Sequence, residues 1–488
     1  MDCTARRWPR ERHLALALIV MAVTAGCTEK PTTALDDGGI PASGPYSATV
    51  QRIFDRSCAT SGCHGAVSPG AGLELTSWET LIAGSRFGEV VIPFRPADSH
   101  MIDHLTGAAT PRMPLSPLDP LPEREIDIIR RWVADGARND AEEVPYAGSR
   151  RKLYVTNQAS DKISVIDAGA QVVMRLIDVG VLPNVDSPHN VHVDRQGRYW
   201  YVTLINSARL LQFEAETDSL RAMAVVGQSP ANPVTSPDGR TVYVTNWNPN
   251  NATLHALDTE TLTEKYVLHF PPGLGDLPHG LCVTRDGRTL YTTHEGSGSV
   301  FKIEVGETAE DAVLTYVSLG EPAASLRPLQ VLLDRDERHL FVTCNGSGEV
   351  RVVDTQSLEV VRVLPIGGRP WLEALTPDGR LIYVGNWGKD GVDVIDTASM
   401  EVVSSLTNGG LEEPVFARPH GVAITPDGRY AFVTSENTNG TIPQHHPTEG
   451  GGHDGSVTVI EVGTNRIEKT LTVEVDPTGI AFVELPGR

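Results

Sequence analysis

The tetrapeptide YVTN at residue 154 returns as YVTL at 201, YVTN at 243, YTTH at 291, FVTC at 341, YVGN at 383 and FVTS at 432, at intervals of 42 to 50 residues. A repeat of that period, built from short Val, Tyr and Thr runs, is one supersecondary unit that cannot bury its apolar faces alone. Copies must stack, which predicts a propeller or another solenoid over residues 150–488. SPDGR at 236, TRDGR at 284 and TPDGR at 376 and 425 supply hairpin turns in which Gly takes positive φ.

Each repeat reads as four strands: one opening at a proline, the D-G turn, a strand ending in VTN or its variant, and two further strands such as VDVIDT and EVVSSL. The openings are Pro188, Pro230, Pro278, Pro328, Pro370, Pro419 and Pro477. The first repeat lacks its opening strand and the chain ends on an orphan one, PTGIAFVEL, so the two ends complete one blade together. That closes a ring of seven blades and removes exposed sheet edges. Over this whole region the sequence resembles the YVTN family of β-propellers.

Ahead of the repeats lies RSCATSGCHGA, residues 56–66, with Cys58, Cys63 and His64 close together in a chain of six cysteines. A disulfide needs no adjacent histidine, and a zinc site lacks a fourth ligand at suitable spacing. Covalent haem uses both elements: two thiols add to the porphyrin vinyls and the neighbouring imidazole takes the proximal iron position. The spacing Cys-x₄-Cys-His is wider than the common C-x-x-C-H. It resembles that of planctomycete-type and myxobacterial-type monohaem cytochrome c domains, as do IFDRSCATSGCHG, RMP and IIRRWVADGA along residues 46–140. Val50, Ile53 and Phe54 share one helical face before the first thiol, and Ile126, Ile129 and Val133 share another before Gly136. Candidates for a sixth iron ligand are His100, Met101, His104 and Met113. The resemblance implies Met113, in the Pro-rich loop ahead of the last helix. The expected fold is multidomain: a small all-α cytochrome c-like domain binding haem c covalently, followed by an all-β seven-bladed propeller.

Residues 1–27 read as an export signal, with Arg6, Arg7, Arg10 and Arg12 before a short apolar run that is too short to span a bilayer. VTAGC resembles the bacterial lipoprotein box, which implies lipid attachment at Cys27 after cleavage. Residues 28–45, rich in Pro, Gly, Thr and Asp, read as a flexible linker. The expected address is the periplasmic face of a bacterial membrane, with an outer-membrane position suggested by Thr28, and the expected partner is a periplasmic or membrane redox protein. Lys and Arg number 41 against 62 Asp and Glu, a net charge of −21 that disfavours nucleic acid.

Within the ring, the opening prolines and the VTN ends fall on one face. The residues after the prolines are His189, Ala231, His279, Leu329, Trp371, His420 and Thr478; those before three of them are Arg327, Arg369 and Arg418. His294, Glu295 and Glu436 stand at strand ends on the same face, and an insertion carrying His445, His446 and His453 leaves from it. Neutral imidazoles from separate blades suit a second metal, with His189, His279, His420 and His294 as candidate ligands, while the arginines suit an anionic substrate. Alternatively, these side chains hydrogen-bond adjacent blades. Cys344 stands in an Asn position near this mouth, where a redox role is open, and Cys282 reads as a buried thiol. The functions that follow are an exported haem c oxidoreductase component whose channel mouth binds substrate, metal or partner, a non-enzymatic docking platform with a haem relay, or a haem-based sensor.

Overall fold

In the computed structural model, residues 39–442 and 453–486 are described. Cys27, the signal segment, most of the linker, His445 and His446 lie outside them. No helix among the described residues is long and apolar enough to cross a membrane.

The N-terminal part is helical: α1 (Val50–Ser57), α2 (Trp78–Ile82), α3 (His100–Thr106) and α4 (Glu123–Ala134). The apolar faces read from the sequence are the ones buried, with Val50, Ile53, Ile126, Ile129 and Val133 fully inaccessible and Phe54 nearly so. Glu125, in the first turn of α4, is itself buried and pairs with Arg56 of α1, so the two helices are joined by charge as well as by apolar contact. Pro122 is the N-cap of α4, and Gly136, at φ +99°, turns the chain away just past its end.

The rest is a seven-bladed propeller of four-stranded antiparallel sheets. All seven innermost strands begin at the opening prolines, and neighbouring innermost strands contact one another around the ring. One blade has the order Pro477–Glu484, Arg151–Asn157, Lys162–Asp167, Val172–Asp178, so the last strand of the chain lies against the first strand of the repeats.

The repeated threonine has a specific task. In six blades its hydroxyl donates to the carbonyl of the residue after the proline in the following blade: Thr156 to His189, Thr203 to Ala231, Thr245 to His279, Thr293 to Leu329, Thr343 to Trp371 and Thr434 to Thr478, at 2.7–2.9 Å. The same oxygen accepts a backbone N–H from its own blade's inner strand, as from Gly280 to Thr293 at 2.7 Å. Each threonine therefore satisfies two buried backbone groups at a seam where ladder bonding is impossible. The YVGN blade has Gly385 instead, where a Cβ would stand 2.9 Å from the His420 carbonyl oxygen. The asparagines that follow point along their own blade, Asn157 to Ser164 and Asn386 to Asp393.

The helical domain is docked on the closing blade and the one before it. Lys162 reaches Asp98 at 2.7 Å and Glu474 at 3.3 Å; Val173 N–H donates to Glu89 at 3.1 Å; Arg95 pairs with Asp178 at 2.6 Å; Thr472 donates to the Phe87 carbonyl at 3.3 Å.

Candidate functional site

The end of α1 delivers Cys58 to the wall of an apolar cavity of about 440 Å³, a size typical of cofactor sites. Cys63, His64, Met113, Met101 and His104 line the same cavity, together with Phe54, Leu75 and Leu105. Both cysteines are free thiols, and burial pushes that of Cys58 up to about 12. The loop after α1 is wound tightly, with His64 N–H donating to the Cys58 carbonyl and Gly70 N–H to that of Cys63. His64 Nδ1 donates to the Leu73 carbonyl at 2.9 Å, which leaves Nε2 as the nitrogen open to a ligand. Met113 is held by its N–H on the His104 carbonyl, and His104 Nδ1 in turn bonds the Pro111 carbonyl, both at 2.8 Å. Two thiols, one imidazole with a nitrogen open to a ligand, a thioether and an apolar cavity form a donor set that fits covalent haem c. His100 lies instead at the seam with the propeller, lining a small cavity with Glu89, Asp98 and Asp454.

At the propeller mouth the structure gathers three of the four expected imidazoles. His189 and His279 face each other with Nε2 atoms 3.2 Å apart. Gln158 Oε1 lies 2.9 Å from His189 Nδ1, and of the two facing Nε2 atoms one donates to the other. His279 Nδ1 lies 3.1 Å from the Leu329 carbonyl, which also accepts the Thr293 hydroxyl, and 3.2 Å from Asn232 Nδ2. Burial, then the neighbouring ring, pushes His189 down to about 3, and burial likewise lowers His279 and His420, so all three are neutral near pH 7. His420 lies 6.1 Å from His189 between ring centres and 4.2 Å from Trp371, with Glu436 Oε1 4.0 Å from its Nε2. Burial and Asp476 raise Glu436 to about 7.

His294 does not join them. Its ring packs against Phe270 at 4.4 Å and Phe301 at 4.7 Å, because the last residue of its strand faces the layer between sheets rather than the axis. Among the described residues no three His, Cys, Asp or Glu side chains form a metal-holding group. The expected ligand set of His189, His279, His420 and His294 is therefore corrected to a hydrogen-bonded imidazole pair with a third ring beside it. Cys344 is corrected too: it is fully buried between sheets, its thiol pushed up to about 12 by burial. Cys282 is likewise a free thiol raised by burial.

The mouth arginines are engaged by neighbouring blades. Arg327 pairs with Glu295, which also accepts Trp247 Nε1–H at 2.7 Å. Trp387 Nε1–H donates to Glu436 at 2.9 Å, Arg418 lies 4.4 Å from the Trp387 ring centre, and Arg369, which lies 4.9 Å from that ring in its own blade, donates to Asn345 Oδ1 of the preceding blade at 3.1 Å. The sequence reading missed Glu373, which is 7% exposed with both carboxylate oxygens unpartnered among the described residues. Aligning the repeats exposes it, since the same register holds Val191, Pro233, Leu281, Val331, Val422 and Ile480.

A small helical domain with a haem-fitting cavity, fused to a closed seven-bladed ring, defines the class. Residues 61–116 match the family model for planctomycete cytochrome c, a stretch that takes in Cys63, His64 and Met113. The chain thus carries a planctomycete-type cytochrome c domain on a seven-bladed β-propeller. No curated protein matches it. Among solved structures it is similar to the Pseudomonas aeruginosa periplasmic gluconolactonase, at 18% identity and a TM-score of 0.52 over 69% of this chain and 100% of that one. It is also similar to a functionally unknown protein from Desulfotomaculum acetoxidans, at 16% identity and 0.53 over 68% and 99%. These likenesses concern the propeller fold.

Proposed function

We propose that the protein is an exported, lipid-anchored electron-transfer protein with one covalent haem c, acting as an oxidoreductase component that passes electrons to a periplasmic or membrane redox partner. The observation that carries this is the convergence of Cys58, Cys63, His64 and Met113 on one apolar cavity. Haem c, when bound, supplies one-electron chemistry. The chain's own contribution is to fix His64 through Leu73, hold the Met113 loop through His104, and exclude water with Phe54, Leu75 and Leu105. Cys27 would carry the lipid, and the propeller mouth would receive the substrate or partner. The test is a pyridine haemochrome spectrum with mass spectrometry of the peptide around residue 58, on protein matured in a competent periplasm. A thioether-linked haem at one per chain supports the reading; colourless protein overturns it. Met113→Ala should keep the covalent haem and lose the thioether-to-iron absorption of the oxidised protein.

A second reading, in which the propeller is a docking platform without chemistry of its own, is favoured by the engagement of Arg327 with Glu295, Arg369 with Asn345 and Arg418 with Trp387 across neighbouring blades. Metal analysis of the full chain separates the two. Iron alone fits the platform, whereas stoichiometric copper or zinc at the His189, His279 and His420 mouth would favour an enzyme.

A further inference from the structure

Between the helical domain and the propeller lies a second cavity, of about 170 Å³. Arg86 and Phe87 form one wall. Pro414, Val415 and Ile442 form another, and the sheet residues Asp454, Ser456, Thr470 and Thr472 its floor, with Glu413 at the side. Phe87 also lines the large cavity that holds Cys58, Cys63 and His64, so the two spaces share a lining residue.

Three observations define what such a space would take. Its volume exceeds the roughly 150 Å³ that holds a benzene molecule in an engineered apolar cavity, so one six-membered ring with a substituent fits. Phe87, Pro414, Val415 and Ile442 give its walls apolar surface, and the Phe87 ring, with Arg86 4.5 Å from its centre, offers an aromatic surface. Its floor is hydroxylic, and Ser456, only 3% exposed, has an Oγ with no hydrogen-bond partner among the described residues. A buried hydroxyl of that kind is satisfied by a ligand that both donates and accepts. Glu413 and Asp454 disfavour a carboxylate. Asp454 is moreover raised to about 7 by burial and by Glu474, so the floor does not present the full charge that would draw an ammonium group.

We propose that this interdomain cavity binds a small neutral hydroxylated aromatic molecule of the phenol or hydroquinone class, ring against Phe87, Pro414 and Val415 and hydroxyl on Ser456. The site needs both domains, and it shares Phe87 with the haem-fitting cavity. The proposal goes beyond the electron-transfer reading, because ligand binding here requires the docked domains and not the haem.

The experiment is calorimetric titration of the full chain with phenol, benzoate and benzylammonium. Phenol should bind at one per chain, at least about tenfold more tightly than either charged analogue. Ser456→Leu, which fills the floor, should weaken phenol by at least about tenfold and leave the visible spectrum unchanged. Thr470→Leu, at the other side of the floor, should do the same if Ser456→Leu disturbs the fold. Absence of phenol binding overturns the proposal, as does tighter binding of either charged analogue. Phenol binding that survives both substitutions also overturns it, since the ligand then sits elsewhere, in the larger cavity for example. A colourless protein that still binds phenol through Ser456 would uphold this inference while the haem reading fails.

Discussion

The haem-fitting cavity and the propeller mouth are both lined by imidazoles, yet they are built in opposite ways. In the cavity, Cys58, Cys63 and His64 come from one turn of chain, His64 has one nitrogen tied to Leu73, and the other is left for a ligand. At the mouth, His189, His279 and His420 come from three blades, and two of them spend their free nitrogens on each other. A contiguous motif can leave donors open because its own loop holds the geometry. Residues gathered across blades must also hold those blades together, and that consumes their donors. The first arrangement is equipped to bind, the second to join.

The largest effect expected from this contrast is all-or-none. Cys58→Ser with Cys63→Ser removes both attachment points and should abolish covalent haem, read as loss of the haemochrome and of the mass increment on the peptide. The propeller should fold regardless, since cores such as those around Val392, Val394 and Val433 or Val350 and Ile395 are formed by its own blades, and the substitutions leave Ile92, which enters the core of the closing blade from the helical domain, untouched. If the double variant keeps covalent haem, the attachment site lies elsewhere and the contrast falls.

His279→Ala probes the joining role. It strands His189 Nε2 and leaves a hole beside the axis, while Asn232 keeps its bond to the backbone carbonyl of residue 279, so a loss of about 2–4 kcal/mol in unfolding free energy is expected, with the haem spectrum unaltered. Altered haem spectra with unchanged stability would reverse the assignment of roles. Glu373→Leu should act in the other sense. A buried carboxyl with no partner is replaced by an apolar side chain of similar length, in a register that is apolar in the other six blades, for a gain of about 1–3 kcal/mol at pH 7. A loss instead would mean that Glu373 has a task in the channel.

How much of this was legible in the sequence follows from the range over which each feature is encoded. The seven blades, their opening prolines and the closure by PTGIAFVEL are periodic, and a period is visible without any structure. Cys58, Cys63 and His64 are adjacent, so their chemistry is visible too. Met113 needed the resemblance, because nothing local says which of four candidate side chains a loop will bring to the cavity. His294 was misread because a strand-end residue alternates in orientation with its neighbour: Thr293 turns to the next blade while His294 turns to Phe270 and Phe301. The threonine that bridges blades was counted as part of a repeat but not understood, since its partner is a backbone carbonyl 28 to 44 residues away. The domain seam was invisible, because Glu89 and Lys162 look like ordinary surface charges until the two domains meet.

That seam yields the smallest effect and completes the contrast, since it too joins, but with groups that titrate. Glu89 leaves the helical domain and enters the propeller, where burial raises it to about 8 against the pull of two backbone N–H groups, its own and that of Val173, and of Lys469. Lys162 stands between Asp98 and Glu474, and Asp454, raised to about 7, and His100, lowered by burial, face the same space. From about pH 4.5 to pH 8 the unfolded chain has released the Glu89 proton while the folded chain retains it, so the folded form binds more protons and stability falls as pH rises. Asp454 contributes with the same sign up to about pH 7, which leaves pH 7–8 as the interval in which Glu89 dominates between the two carboxyls. One proton sets a ceiling of about 1.4 kcal/mol per pH unit there. Glu89→Gln keeps the shape and the acceptor for Val173 but cannot ionise, so thermal melts between pH 7 and pH 8 should lose that slope while those below pH 5 stay superimposable on the parent. An unchanged slope would show that the carboxyl is already ionised in the folded protein and that Lys469, rather than desolvation, governs it.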